Sequence, residues 1–380
     1  MSEFISRIIT SKIEECIKYY PTLTLTGPRQ SGKSTLCRHL FPDYSYVSLE
    51  RIATRQQAST DLSSFMDSLG TKAIIDEVQH VPELLSEIQC RVDEDSSLKY
   101  ILTGSSNFSL LKNVTQSLAG RTAVFTLPPF INSEIRDYCR MTGTDRLLFN
   151  GSYPGVIAKG IPAYEFYQNY YDSYVERDLR NLLKITNLLT FDKFVRLLAV
   201  RVGSEFNASA LAREIGVSSV TVNEWLTLLA ASYLVFILPP FYNNIGKRLT
   251  KTPKIYFYDS GLLCSLLGIK TPEELAGHMM RGQIFENYAV AEMRKEADIS
   301  HRKSTLHFYR ENRGIEVDIV KENMIGVDYS LYEIKSSKTF RSDFMSNMKT
   351  AKETIPGVKS QTLIYDGETM GSNIKNVRDI

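Results

Sequence analysis

Gly27, Pro28, Arg29, Gln30, Ser31, Gly32, Lys33 and Ser34 fit G-x-x-x-x-G-K-[ST] without a mismatch, the pattern of a loop that cradles phosphates. Glycines let backbone N–H groups approach phosphate oxygens, and the helix that opens behind such a loop adds the positive end of its dipole. Lys33 has the charge and reach for β- and γ-phosphates, and the Ser34 hydroxyl is an oxygen ligand for Mg²⁺. Thr35 falls beside the same nucleotide. Residues 73–77 read A-I-I-D-E: apolar residues bury a strand, and two acids emerge at its C-terminal end, where open α/β sheets bind ligands. Asp76 is expected to hold Mg²⁺, directly or through water, and Glu77 to orient and deprotonate an attacking water. A third run, residues 100–104, leads into Ser105, Ser106 and Asn107, any of which can hold the γ-phosphate or the water. ATP and Mg²⁺ are the expected cofactors.

A second set of charged residues lies towards the C-terminus. In GIEVDIV the alternation puts Glu316 and Asp318 on one face and Val317 and Ile319 on the other; in LYEIKS it puts Glu333 and Lys335 opposite Tyr332 and Ile334. Two neighbouring strands would each bury an apolar face and present acids opposite. Glu286 precedes them in a helical run, residues 285–292. The same alternation also describes an ordinary amphipathic sheet with solvated charges.

The elements that must position these residues fall into three regions, expected at 1–135, 136–258 and 259–380. The first opens with apolar residues at helical spacing (Phe4, Ile5, Ile8, Ile9, Ile13, Ile17), which predicts a helix over the first twenty residues, ended by Pro21. Strands and helices then alternate to about residue 130, implying an α/β region with a parallel sheet and crossover helices. Residues from about 131 to 235 read as mostly helical. Within them, 208–230 read as a helix-turn-helix: Leu211, Ile215, Val217, Val222 and Leu226 face a core, and Gly216 makes the turn. Flanking strands would make a wing around residues 243–253. DNA reading and a structural lid both fit. The second helix offers Ser218, Ser219, Thr221, Asn223 and Glu224 without a cation, whereas the wing carries Lys247, Arg248, Lys251 and Lys254 as phosphate contacts. The third region mixes strands with helices.

The chain of 380 residues is 43% hydrophobic and 23% charged, with a formal net charge of +2. Those values describe folded domains with full cores and exclude a globally basic nucleic-acid binder, though not a local basic patch. Five scattered cysteines (Cys16, Cys37, Cys90, Cys139, Cys264) include no C-x-x-C pair, against a disulfide framework or zinc site. The N-terminus lacks a signal-peptide pattern, and no apolar run approaches the roughly 18 residues of a spanning helix. A cytoplasmic protein with no membrane partner is expected.

The runs GPRQSGKST, DEVQ, LTGSS, SLAGR, GSYPG, SYLVFILPP, YFYDSGL, RGQIFEN and EIKSS resemble, over nearly the whole chain, a large prokaryotic family of AAA-type ATP-binding proteins. Its members carry a C-terminal domain related to PD-(D/E)xK nucleases. The resemblance implies a P-loop ATPase domain, a helical winged-helix middle and a restriction-endonuclease-like C-terminal α/β domain. It implies Mg²⁺ held by Asp318 and Glu333, with Lys335 steadying the attacking water or scissile phosphate and Glu286 as the additional acid. No proline precedes the first acid; Ile315 and Glu316 stand there. In AAA-type ATPases an arginine placed like Arg121 serves as a finger on a neighbouring subunit's nucleotide, which implies a homo-oligomer. The exposed, solvated alternative for Arg121 stays open. Two functions follow: an ATPase that couples nucleotide state to a DNA-directed or nuclease-like module, or an ATP-dependent switch whose inactive C-terminal domain recruits a partner.

Overall fold

The structure, a computed structural model, describes residues 4–104, 114, 117–174, 188–242, 252–300, 305–311 and 314–380. Strands β1 (Thr22–Thr26), β2 (Ser45–Ser48), β3 (Lys72–Asp76), β4 (Lys99–Thr103) and β5 (Thr122–Thr126) form one parallel sheet in the order β2-β3-β4-β1-β5. Alternation along the strands sorts the two faces. Leu23, Leu25, Ile74, Ile101 and Phe125 pack with Ile13 and Leu36 from helices Thr10–Tyr19 and Lys33–Leu40. Ala73, Ile75, Tyr100 and Leu102 pack with Phe65, Leu84 and Ile88 from helices Leu62–Leu69 and Leu84–Glu94. Helices on both faces are what a buried parallel sheet requires.

The N-terminal helix is shorter than the apolar spacing predicts: it runs Thr10–Tyr19, and residues 4–9 precede it. The reason is Arg7, whose buried guanidinium reaches the carbonyls of Ser31, Pro128 and Pro129 and the carboxylate of Glu134. Phe4, beside it, stacks on His39 at 3.7 Å.

Past β5 the elements among the described residues are helices up to β6. Helix Ala208–Ile215 is capped by Asn207, whose Oδ1 accepts from the Ala210 N–H at 2.9 Å. Gly216 ends it at φ 77°, a left-handed conformation natural to glycine. Ser218 caps helix Ser219–Ala231, and β6 (Val235–Leu238) then pairs antiparallel with β7 (Lys254–Phe257). Lys247, Arg248 and Lys251 lie outside the described residues. Lys254 departs from its expected place in an exposed wing: it is 4% exposed and its ammonium is paired with Glu316, so an external phosphate cannot reach it.

Helix Arg281–Ile299 leads into a mixed sheet, β12-β11-β10-β9-β8. Its strands are β8 (Leu306–Arg310), β9 (Glu316–Met324), β10 (Asp328–Lys335), β11 (Val358–Tyr365) and β12 (Ile374–Asn376). β8, β9 and β10 pair antiparallel; β10, β11 and β12 pair parallel. The alternation expected of β9 is broken. His307 pairs with Val320 but Tyr309 with Val317, so β9 carries one extra residue at Asp318–Ile319, a β-bulge. Val317 therefore packs with Val320 and Leu331 against helix Ser346–Thr354, while Ile319 joins Ile284 and Phe285 of helix Arg281–Ile299. Both faces of the sheet are covered, so Asp318 and Glu333 are buried at 9% and 2% exposure; no open acidic face exists there. Among the described residues, no helix is long and apolar enough to cross a membrane.

Candidate functional site

The loop between β1 and helix Lys33–Leu40 turns on two glycines. Gly27 has φ 141°, and a Cβ there would stand 2.2 Å from the Leu127 carbonyl oxygen at the end of β5. Gly32 has φ 97°. Gln30, at φ 59°, adopts a left-handed conformation without being glycine, backbone strain of the kind that collects at ligand sites. Lys33 is buried, and its Nζ donates to the carbonyls of Gly27 at 3.0 Å and Pro28 at 2.8 Å. Burial pushes the ammonium down to about 8, against the charges of Glu77 and Asp76.

At the end of β3, Asp76 is held by three hydroxyls. Ser34 Oγ donates to its Oδ2 at 2.8 Å, Tyr46 Oη from β2 to the same oxygen at 2.7 Å, and Thr103 Oγ1 from β4 to Oδ1. Burial and the Asp76 contact push the Tyr46 phenol up to about 12, so it remains a donor. Glu77 follows at φ 58°, and Gln79 Nε2 donates to its Oε2. Ser34 Oγ and the Asp76 carboxylate are hard oxygen donors placed side by side, a pair that fits Mg²⁺.

Arg29, Gln30, Gly32, Lys33, Ser34, Thr35, Asp76 and Glu77 line one cavity of about 610 Å³, a volume in the range of ligand sites. Gly27, Pro28 and Ser31 lie behind it, supplying the loop's turn and the carbonyls that hold Lys33. Sequence reasoning missed the opposite wall: Pro154, Gly155, Lys159, Ile161, Tyr170 and Ser173, from the helical middle region. Ser105, Ser106 and Asn107 lie outside the described residues. Arg121 is not part of this wall: its Nε and Nη2 grip Asp93 at 2.5 and 2.8 Å on the surface.

The C-terminal acids belong to a second charged cluster, each on a partner of its own. Asp318 Oδ2 accepts from the Ile334 N–H at 2.7 Å, across the β9–β10 pair. Glu333 Oε1 pairs with Lys335 Nζ at 2.6 Å, whereas its Oε2 is buried with no hydrogen-bond partner. Glu286, on helix Arg281–Ile299, accepts from Tyr256 Oη at 2.7 Å. Burial raises all three carboxyls, and the charge of Asp318 pushes Glu286 and Glu333 further up; Lys254 opposes this at Glu286 and Lys335 opposes it at Glu333. Lys335 thus meets Glu333, Asp318 and Glu286 in one electrostatic neighbourhood. Among the described residues, no group of three His, Cys, Asp or Glu side chains is placed to hold a metal ion. Lys254 and Tyr256, both on β7, are the members that sequence reasoning did not assign to this cluster.

Residues 19–136 match the family model described as AAA domain. Residues 141–273 and 281–377 match two domains of unknown function, DUF8612 and DUF4143. An uncharacterized protein of Mycobacterium tuberculosis and one of Mycobacterium bovis are each 27% identical to the chain over 373 residues, covering 95% of it and 80% of their own length. Among solved structures, a Walker-type ATPase of Pyrococcus abyssi is similar at 16% identity and TM-score 0.47, over 70% of this chain and 96% of that one. Domain III of the Thermotoga maritima replication initiation protein DnaA is similar at 14% identity and TM-score 0.26, over 59% and 93%. Residues 19–136 are thus similar to AAA domains, and the loop geometry agrees with that likeness.

Proposed function

We propose that the chain is an Mg²⁺-dependent ATPase whose nucleotide state is coupled to a DNA-directed, nuclease-like C-terminal module. The observation that carries the ATPase reading is the meeting of Lys33, Ser34, Asp76 and Glu77 on one cavity wall, with Asp76 oriented by hydroxyls from three separate elements. Loop N–H groups and Lys33 bind the phosphates. Ser34 and Asp76 would hold Mg²⁺, which would supply charge neutralisation to the phosphates. Glu77 orients a water and takes its proton as the water oxygen bonds to the γ-phosphorus. The bond to the β–γ bridging oxygen breaks, and ADP leaves with that electron pair.

The nuclease-like reading is supported by Asp318, Glu333 and Lys335 in D…E-x-K order, with Lys335 paired to Glu333 and with Asp318 and Glu286 within reach of its charge. The helix-turn-helix is the element offered to DNA. The second reading, a switch whose inactive C-terminal domain recruits a partner, is favoured by one observation: Lys254 and Lys335 already sit among the acids.

One set of assays tests both halves. Glu77→Gln is expected to keep ATP bound and to slow hydrolysis by about 10²–10⁴-fold; equal turnover removes Glu77 as the base. Duplex and single-stranded DNA are incubated with Mg²⁺ or Mn²⁺. Cutting that is lost in Glu333→Ala and kept in Lys33→Ala supports the nuclease, and no cutting of any DNA form leaves the switch.

A further inference from the structure

We propose that Lys159, on the wall of the nucleotide cavity that the helical middle region contributes, binds the γ-phosphate and thereby distinguishes ATP from ADP. The inference rests on the reading of that cavity as an ATP site. Lys159 lines the cavity together with Gly32, Lys33 and Ser34 of the phosphate loop. It is exposed, and among the described residues its side chain has no ion-pair or hydrogen-bond partner. The carboxylates on the same cavity are already engaged. Asp76 accepts from three hydroxyls, Gln79 donates to Glu77, and Glu50 lies 3.4 Å from His80 Nε2. A cation left without a carboxylate, on a cavity that Lys33 also lines, suits a ligand with several phosphates.

The backbone brings Lys159 to the phosphate end of the cavity. Pro154 stands over the phosphate loop: a Cβ at Gly32 would lie 3.9 Å from its Cγ. One turn on, the Lys159 N–H donates to the Pro154 carbonyl at 3.2 Å, so its flexible four-carbon stem starts beside the loop and can carry the ammonium to a phosphate held there. The turn that bears it is tied down. Gly160, at φ 69°, reverses the chain, and the Ile161 N–H donates to the Gly155 carbonyl at 3.1 Å. Gly155 lies against helix Ala163–Tyr174, where a Cβ would stand 2.3 Å from the Phe166 ring. Ser152 donates to Asp259 through its N–H at 2.8 Å and its hydroxyl at 2.9 Å, and accepts from Lys295 Nζ at 3.0 Å. Drawing Lys159 onto a γ-phosphate therefore draws on the helical wall and, through Ser152 and Lys295, on helix Arg281–Ile299. ADP lacks the group that Lys159 grips. The differential contact that any nucleotide-driven shift requires is then one lysine on the middle region.

The test is calorimetry on the full chain with Mg²⁺, comparing ADP with the β,γ-imido analogue of ATP, which is not hydrolysed during the titration. Lys159→Met is expected to bind the analogue at least about tenfold more weakly than the parent, the loss of one charge-assisted contact, while its affinity for ADP stays within about twofold. Lys159→Arg should keep most of the preference for the triphosphate. Equal loss for both nucleotides, or no loss for either, overturns the γ-phosphate contact and leaves the ATP reading standing. A parent that binds neither nucleotide, or whose affinity survives Lys33→Ala, removes the ATP reading and the proposal together. The nucleotide-free Tm of Lys159→Met should match the parent's, since the side chain is exposed; if it does not, Lys159→Gln takes its place and is read by the same criteria.

Discussion

Lys33 is held in a place that disfavours its own charge. It is 5% exposed, it donates to two loop carbonyls, and burial lowers its pKa from 10.5 to about 8. A polyphosphate beside it favours the charged form, so binding restores the proton that the free site loses as pH rises through about 8. ATP affinity should accordingly be flat below that pH and fall by up to about tenfold per pH unit above it. Calorimetry in buffers of different ionisation heat should find proton uptake at about pH 9 and none at about pH 7, and Lys33→Ala should lose binding altogether. Affinity that stays constant across this range would falsify the assignment. The meeting of Lys33, Ser34, Asp76 and Glu77 on one cavity was legible in the sequence because a phosphate-loop pattern uses contiguous residues, so spacing alone carries the signal. Tyr46 and Thr103, which aim Asp76 from β2 and β4, were not legible, because their role depends on sheet order. The available hint was a hydroxyl at the end of an apolar strand, Thr103 closing β4.

Segment 4–9 shows what an element can do without regular structure. Through Arg7 it ties the phosphate loop, at the Ser31 carbonyl, to the chain leaving β5, at Pro128 and Pro129. Glu134 answers the guanidinium at 3.0 Å, and its own side chain is fully buried. Removing Arg7 takes away that buried carboxylate's countercharge and leaves it the Ile8 and Ile131 N–H groups. Arg7→Met should therefore lower stability by about 3–5 kcal/mol, and Arg7→Met/Glu134→Gln should recover part of the loss, as read by chemical unfolding. A double variant no more stable than Arg7→Met would show that the lost countercharge is not the cause. ATP binding should weaken in Arg7→Met, because Ser31 loses its anchor. The alternation of strands and helices in the first region follows from local periodicity and was readable. The insertion of β4 between β1 and β3 was not, since strand order is settled by packing. The start of the first helix was misread because apolar spacing continued through Arg7, three of whose partners, Pro128, Pro129 and Glu134, lie more than a hundred residues away. The bulge at Asp318–Ile319 escaped for a related reason: an alternation pattern in one strand carries no record of an extra residue relative to its neighbour.

At the scale of the molecule, helix Arg281–Ile299 joins all three regions. Lys295 Nζ donates to the Phe130 carbonyl at 2.9 Å and to Ser152 Oγ at 3.0 Å, Glu292 accepts from the Asn132 N–H at 2.8 Å, and Arg281 bridges Asp145 and Asp366 at 2.6 Å each. The nucleotide cavity is likewise composite, since its far wall comes from the helical middle region. None of this was legible, because the helical stretch announces buried faces but not what they cover. The cavity is lined by Arg29, Lys33 and Lys159 from the same chain, whereas Arg121 points elsewhere, onto Asp93. A surface ion pair of that kind holds its guanidinium weakly, so Arg121 is free to be recruited, but only by a phosphate brought to its own surface. A second copy of the chain, with its nucleotide cavity against the β5 edge of the first, would meet this condition. Arg121 would then be a finger in trans, and Arg121→Ala should slow hydrolysis by about 10³–10⁵-fold. Lys33→Ala subunits keep Arg121, and Arg121→Ala subunits keep the loop, so mixing two inactive proteins should restore part of the activity, with Lys33→Ala in excess restoring more. If light scattering confirms mixed assemblies and no activity returns, Arg121 does not act across a subunit boundary and its grip on Asp93 is its role.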